Sequence, residues 1–346
     1  MDWLNDNIKA PDDFFYKKAL ARQSLLTKPP GSLGLLEDIA VRLASMQKTE
    51  TPSLERIWVS VFAADHGIAA ESVSAFPQVV TSEMVKNFVH HGAAVNVLSR
   101  FVDAQFEVID VGLLQAVNLD AIVADRAGNG TANFSKQAAM TETEMQTALT
   151  AGKSAAKRAL AHGSQLFIGG EMGIANTTSA SAIAIALTGL SVEQLTGAGT
   201  GLNDKAIQHK SKVIENALTL HQHSLDSAIK TLQYLGGFEI AALVGAYIFA
   251  AQQGLTILID GFISSVAALL ATSINPKVHN WFFYAHQSQE KGHQLVLQRL
   301  QARPLLQLDM RLGEASGAVA AVPLLQMACK LHNEMATFEQ ASITTH

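Results

Sequence analysis

The sequence predicts an α/β protein: a parallel sheet flanked by helices, with a smaller helical domain built from the N- and C-terminal segments. Three observations carry this. Several short apolar runs do not alternate with polar residues, as strands buried on both faces require. Each run ends at a polar or glycine-rich stop and passes into helical periodicity, the strand–helix alternation of a Rossmann-like sheet. Outside this region, roughly the first fifty and last seventy residues read as mainly helical, for example "GSLGLLEDIAVRLASMQ". The predicted division is an α/β core over 51–280 and a helical domain from 1–50 plus 281–346.

Taken in order, "IWVSVFAADHG" is a strand running into Asp65, His66 and Gly67, and "FEVIDVG" is a strand carrying Asp110. "SQLFIGGEMGIANTTSASAIAIAL" passes from a strand through Glu171 into a helix. "EIAALVGAYIFAAQQGLTILID" is interrupted by Gly and Gln, so it reads as a buried helix followed by a strand ending at Asp260. Ser264 and Ser265 then open the next helix. Ligands of open parallel sheets bind beyond the carboxyl ends of the strands. Asp65, Asp110, Glu171 and Asp260 are therefore expected along one edge.

Composition excludes several classes. The 346 residues are 48% hydrophobic and 16% charged with a formal net charge of −5, which fits a large core and gives no basic surface for nucleic acid. The single cysteine, Cys329, lies in an apolar helical pattern and reads as a buried small residue. No run reaches the roughly 18 apolar residues of a spanning helix, and no secretory h-region is visible. A soluble, cytoplasmic protein is the expectation.

Two glycine-rich segments suit an anion. In "GGEMGIANTT", Gly169, Gly170 and Gly173 leave room for backbone amides to meet a ligand, and Asn176, Thr177 and Thr178 suit the first turn of a helix, where amides and dipole favour phosphate. An ordinary capped strand-to-helix turn would look the same. In "TGAGTGLNDKAIQHK", the glycines 197, 199 and 201 do not form the dinucleotide fingerprint. Lys210, beyond that loop, could reach a phosphate or be a solvated helix lysine.

The loop "ESVSAFPQVVTSEM" offers Phe76, Pro77 and Met84 as an apolar slot for a flat ring, with core packing as the alternative. His66 is a ligand, a base or, more commonly, a loop-fixing side chain. His90/His91 and His221/His223 do not share a helix face, and His286 and His293 could share one without a third ligand, so no metal motif emerges. No G-x-S-x-G elbow is present. One feature stands out near the end: "RLGEASGA" puts Glu314 between Gly313 and the small residues that open a helix, where Ser, Thr, Asp or Asn is usual.

These segments together resemble one family, the nicotinate-nucleotide–dimethylbenzimidazole phosphoribosyltransferases. The matching stretches are "KPPGSLGLLE", "AADHGIAAESVSAFPQVVT", "HGAAVNVL", "VIDVGL", "GGEMGIANTT", "GGFEIAAL", "DGFISSVAAL", "SQEKG" and "RLGEASGA", in the family's order and over nearly the whole chain. The resemblance implies transfer of a 5-phosphoribosyl group from nicotinate mononucleotide to 5,6-dimethylbenzimidazole for cobalamin assembly, without a cofactor or metal. It implies Glu314 as general base. It implies nucleotide contacts from Glu171, Gly173, Ala175, Asn176, Thr177, Thr178, Gly199, Lys210, Asp260 and Ser288. The ring slot would comprise Phe76, Pro77, Met84, Leu312 and Gly313, with Gly313 and Gly317 clearing space beside Glu314. A homodimer is implied too.

Phe76 and Met84 stand where more polar side chains are expected, which leaves adenine, benzimidazole or a phenolic compound open as the accepted base. Two other readings predict different residues. A dinucleotide-dependent oxidoreductase would carry the complete glycine fingerprint, which is missing. A non-catalytic binder would have lost Glu314 or the glycine loop, and both are present.

Overall fold

The computed structural model describes residues 1–199 and 201–344. Seven strands form one sheet: β1 Ile57–Ala64, β2 Gln105–Gly112, β3 Ile122–Ala124, β4 Leu166–Met172, β5 Thr256–Ile259, β6 Phe282–His286 and β7 Pro304–Leu306. Their order is β3-β2-β1-β4-β5-β6-β7 and every pairing is parallel. The central strands have no wet face. All four residues of β5 and nearly all of β1 and β4 are buried, which is why their sequences do not alternate.

The strand order reverses direction between β1 and β4, and the carboxyl ends of the strands beyond that point open a crevice. Asp65, Asp110, Glu171 and Asp260 all stand at this end of the sheet, as expected. Two of them are consumed by loop structure. Asp110 pairs with Arg126 and accepts from the amides of Gly112 and Leu113 at 2.9 Å, and Asp65 accepts from the Leu114 amide at 2.8 Å.

One side of the sheet is covered by the helix Phe238–Gln252, itself packed on Glu142–Ala161. The two touch through glycine: a Cβ on Gly152 would stand 1.7 Å from the Ala242 carbonyl oxygen, and one on Gly245 would stand 2.0 Å from that of Leu149. The terminal segments pack together as expected. Leu26 bridges Thr337, and Arg22 Nε donates to the His332 carbonyl at 2.7 Å. The segment after 280 is not purely helical, however. Residues 282–286 and 304–306 are β6 and β7 of the main sheet. One continuous apolar core runs from Leu4 to Cys329. None of the described helices is long and apolar enough to cross a membrane.

Candidate active site

A cavity of 420 Å³ opens beyond the carboxyl ends of β4, β5 and β6. Phe76, Val80 and Met84 form one wall, and Glu171 to Ile174 with Asn176 and Thr177 another. Gly261 to Ser264, His286, Ser288 and Glu290 close the floor and side, and Arg311 to Glu314 complete the ring. A larger groove of 730 Å³ lies among the terminal helices, around Leu20, Arg42 and Phe283. It contains none of the carboxylates at the sheet edge, so the chemistry belongs to the smaller cavity.

Three helices begin at this cavity: Asn176–Thr188, Phe262–Ile274 and Ser316–Glu334. None is capped by the side chain of its own N-cap residue, and each brings the positive end of its dipole to the cavity. Several leading amides are held within the fold: Asn176 donates to the Gly173 carbonyl, Thr178 to that of Ala175, Ser316 to that of Gly313 and Ala318 to Asp260. At the first, Thr177 Oγ1 accepts from Lys210 Nζ at 2.8 Å. Gly199 makes that approach possible, because a Cβ there would stand 2.8 Å from Thr177 Oγ1 and 3.3 Å from Lys210 Nζ, at a φ of 53°. Lys210 is buried against this neutral hydroxyl, and burial pushes its pKa down to about 8. A buried ammonium without a carboxylate in hydrogen-bond contact is poised for an anionic ligand.

The carboxylates lie on the opposite side. Glu314 is only 5% exposed, yet lines the cavity, and burial followed by the Asp260 charge raises its pKa to about 7. Beneath it, burial and then the charges of Glu239 and Asp260 raise Glu171 well above the ordinary range. Asn176 Nδ2 donates to Glu171 Oε2. Gly313 sits directly over Glu171, since a Cβ on it would stand 2.6 Å from Glu171 Oε1 at a φ of 84°.

Asp260 does not reach the cavity. Its Oδ1 accepts from the Ala318 amide at 2.7 Å, and His286 Nε2 lies 3.8 Å away. The Ser288 amide donates to His293 Nδ1 at 2.9 Å, so Nδ1 is the acceptor and Nε2 carries the hydrogen toward Ser265 Oγ, also at 2.9 Å. Burial lowers His293 to about 3, consistent with that neutral ring. Ser288 Oγ is buried beside the cavity with no partner among the described residues.

Of the residues singled out from the sequence, Phe76, Met84, Glu171, Gly173, Asn176, Thr177, Gly199, Ser288, Leu312, Gly313 and Glu314 line this one cavity. Pro77, Ala175, Thr178, Lys210 and Asp260 do not. Lys210 stands behind Thr177, Thr178 is fully buried, and Ala175 is the left-handed residue (φ 78°) before the helix.

The glycines mean something other than the sequence suggested. A Cβ on Gly169 would meet Leu243 at 2.6 Å, so Gly169 serves close packing. One on Gly173 would meet the Ala64 carbonyl oxygen at 2.6 Å, so Gly173 packs against β1 while it lines the cavity. Gly317 makes room for the His286 ring, 2.2 Å from such a Cβ, and not for a ligand. His286 ends a strand and His293 begins a helix, so they share no helix face.

Sequence reasoning gave no role to Val80, Met172, Ile174, Phe262, Glu290 or Arg311, all of which line the cavity. Arg311, two residues before Gly313, carried a signal: a cation beside the isolated glutamate. His66 is a structural residue, with Nε2 2.7 Å from Glu239 Oε1 and both side chains fully buried.

A parallel sheet whose crevice joins a helix start backed by a buried lysine to a buried glutamate has the outline of a group-transfer enzyme. A family model described as phosphoribosyltransferase matches residues 8–343. The chain is 55% identical over 342 residues to nicotinate-nucleotide–dimethylbenzimidazole phosphoribosyltransferase of Pseudomonas fluorescens, covering 99% of this chain and 97% of that one. It is 52% identical to the enzyme of the same name from Xanthomonas axonopodis pv. citri, covering 99% of each. The crystal structure of CobT from Thermus thermophilus superposes with a TM-score of 0.92 at 40% identity, over 96% of this chain and all of that one. The chain belongs to the nicotinate-nucleotide–dimethylbenzimidazole phosphoribosyltransferase family.

Proposed function

We propose that the chain transfers the 5-phosphoribosyl group of nicotinate mononucleotide to 5,6-dimethylbenzimidazole, yielding nicotinate and α-ribazole 5′-phosphate for cobalamin biosynthesis. The observation that carries this is Glu314, a buried carboxylate titrating at about 7, between an apolar wall and a helix start backed by a lysine. A general base works best when its pKa lies near the operating pH.

The nucleotide phosphate rests at the positive end of the Asn176–Thr188 helix, at Thr177, whose hydroxyl presents the Lys210 charge, with Gly199 leaving space beside it. The ribose faces Glu171, whose pKa burial raises well above the ordinary carboxylate range. The ring of the acceptor base lies between Phe76, Met84 and Leu312. Its unprotonated nitrogen attacks the anomeric carbon as the bond to nicotinate breaks on the opposite face. That displacement inverts the centre and gives the α product. Positive charge building on the ring acidifies its N–H, and Glu314 takes that proton.

The apolar character of Phe76, Val80, Met84 and Met172 supports a methylated apolar ring and leaves room for benzimidazole or a phenolic acceptor, whose oxygen would be the nucleophile. Competition among these and adenine ranks them. By the same resemblance the enzyme is a cytoplasmic homodimer, with the Glu314 turn of the C-terminal segment facing the carboxyl ends of β4, β5 and β6. The test is to mix protein, nicotinate mononucleotide and dimethylbenzimidazole and follow free nicotinate. Release that requires both substrates supports the reading, and no release with any acceptor base contradicts it.

A further inference from the structure

Asp260 is a buried carboxylate outside the cavity, wedged between two helix starts. Its acceptors are occupied by backbone: the Ala318 amide at 2.7 Å, together with the amides of Gly261 and Ala315. The helix Ser316–Glu334 begins after Ala315, which has no side-chain oxygen with which to cap it. Asp260 supplies that cap from another element, 58 positions away in the chain.

The cap bears directly on Glu314. Glu314 and Ala315 are consecutive residues in the left-handed region, at φ 64° and 68°. Side chains other than glycine resist this conformation, and it persists only where surrounding contacts enforce it. The contacts here are Gly170 on one side and the Asp260 carboxylate on the other. Groups facing Glu314 are Glu171 from β4, Asp260 from the end of β5, His286 from β6, Arg311 on its own loop and Glu290 across the cavity.

We propose that Asp260 is the positioning residue of Glu314: its carboxylate clamps the Glu314–Ala315 turn and sets a charged group beside the base without touching the substrate. This rests on Glu314 being the base. It gives Asp260 a part in catalysis without contact to the nucleotide.

Two substitutions test it. Asp260→Asn keeps an oxygen for the Ala318 amide but removes the charge. It is expected to move the acidic limb of the kcat/KM–pH profile toward lower pH by on the order of one pH unit, with KM for both substrates within about threefold. Asp260→Ala removes the clamp and is expected to lower kcat by about 10²-fold, the scale of an ångström's misplacement, with KM little changed. An unmoved limb in Asp260→Asn overturns the proposal, as does a loss carried by the nucleotide KM, which would mark Asp260 as a substrate contact. If Asp260→Ala does not fold, the limb of Asp260→Asn decides alone. Glu314→Gln separates the two readings. Survival of the limb there defeats the base assignment and this proposal together, whereas its disappearance beside an unmoved Asp260→Asn limb defeats this proposal alone.

Discussion

A Cβ placed on Gly170 would stand 2.8 Å from the carbonyl carbon of Glu314 and 2.7 Å from the Ala315 nitrogen, so β4 and the turn bearing Glu314 meet backbone to backbone. Neither atom is a flexible side-chain end that could swing away. Gly170→Ala must therefore displace the turn. Because displacement by about 1 Å can cost about 10²-fold in rate, kcat for nicotinate release should fall by that order. Chemical denaturation of the same variant should show about 1–3 kcal/mol of destabilisation from overpacking.

Lys210 offers its ammonium to Thr177, and through that hydroxyl its charge acts on an anion at the start of the Asn176–Thr188 helix. Charge-assisted hydrogen bonds are worth about 1.5–3 kcal/mol, so Lys210→Met should raise KM for nicotinate mononucleotide roughly 10- to 100-fold. KM for the acceptor base should stay near that of the wild type. With the free lysine titrating at about 8, nucleotide affinity should also weaken as pH rises above that value, because the neutral amine must recover a proton to bind. Initial rates at varied nucleotide concentration and pH measure both effects.

Phe76 is half exposed at the cavity mouth, with Met84 behind it. Stacking of aromatic rings contributes about 0.5–1.5 kcal/mol beyond area burial. Phe76→Ser should accordingly raise KM for dimethylbenzimidazole by about 10-fold while leaving the nucleotide KM unchanged. Equal loss toward both substrates would mean that the loop supports the whole site rather than the ring.

His66 and Glu239 are both fully buried, and a Cβ on Gly237 would stand 2.3 Å from His66 Cε1. Removing one member of a buried hydrogen-bonded pair strands the other, at a cost of about 1–3 kcal/mol. His66→Ala should lose that much stability in urea. The Gln78 side chain, which donates to the His66 carbonyl at 3.0 Å, ties the same site to the loop of Phe76, so acceptor-base KM should rise as well.

The strand–helix alternation was legible because β1, β4 and β5 are buried on both faces and leave unbroken apolar runs. β7 was not, since three residues carry too little pattern to separate from a helical surrounding. The cavity was legible at Glu171, Asn176, Thr177 and Glu314, where polar groups interrupt apolar sequence at the strand end or helix start. Asp260 and Gly317 were misread for one physical reason. A carboxylate at a strand end, or a glycine near a catalytic residue, looks the same in sequence whether its neighbour is a ligand or a distant piece of the same chain. For Asp260 that neighbour is the Ala318 amide, and for Gly317 it is the His286 ring.

The most direct test is the pH dependence of nicotinate release by the wild type and Glu314→Gln. Positioned proton transfer is worth about 10²–10⁴-fold, so the substitution should lower kcat by that factor with both substrates still bound. In the wild type, kcat/KM should rise with pH through about 7 as Glu314 loses its proton, and Glu314→Gln should lack that limb. A Glu314→Gln enzyme that retained the wild-type rate or the limb near pH 7 would contradict the account.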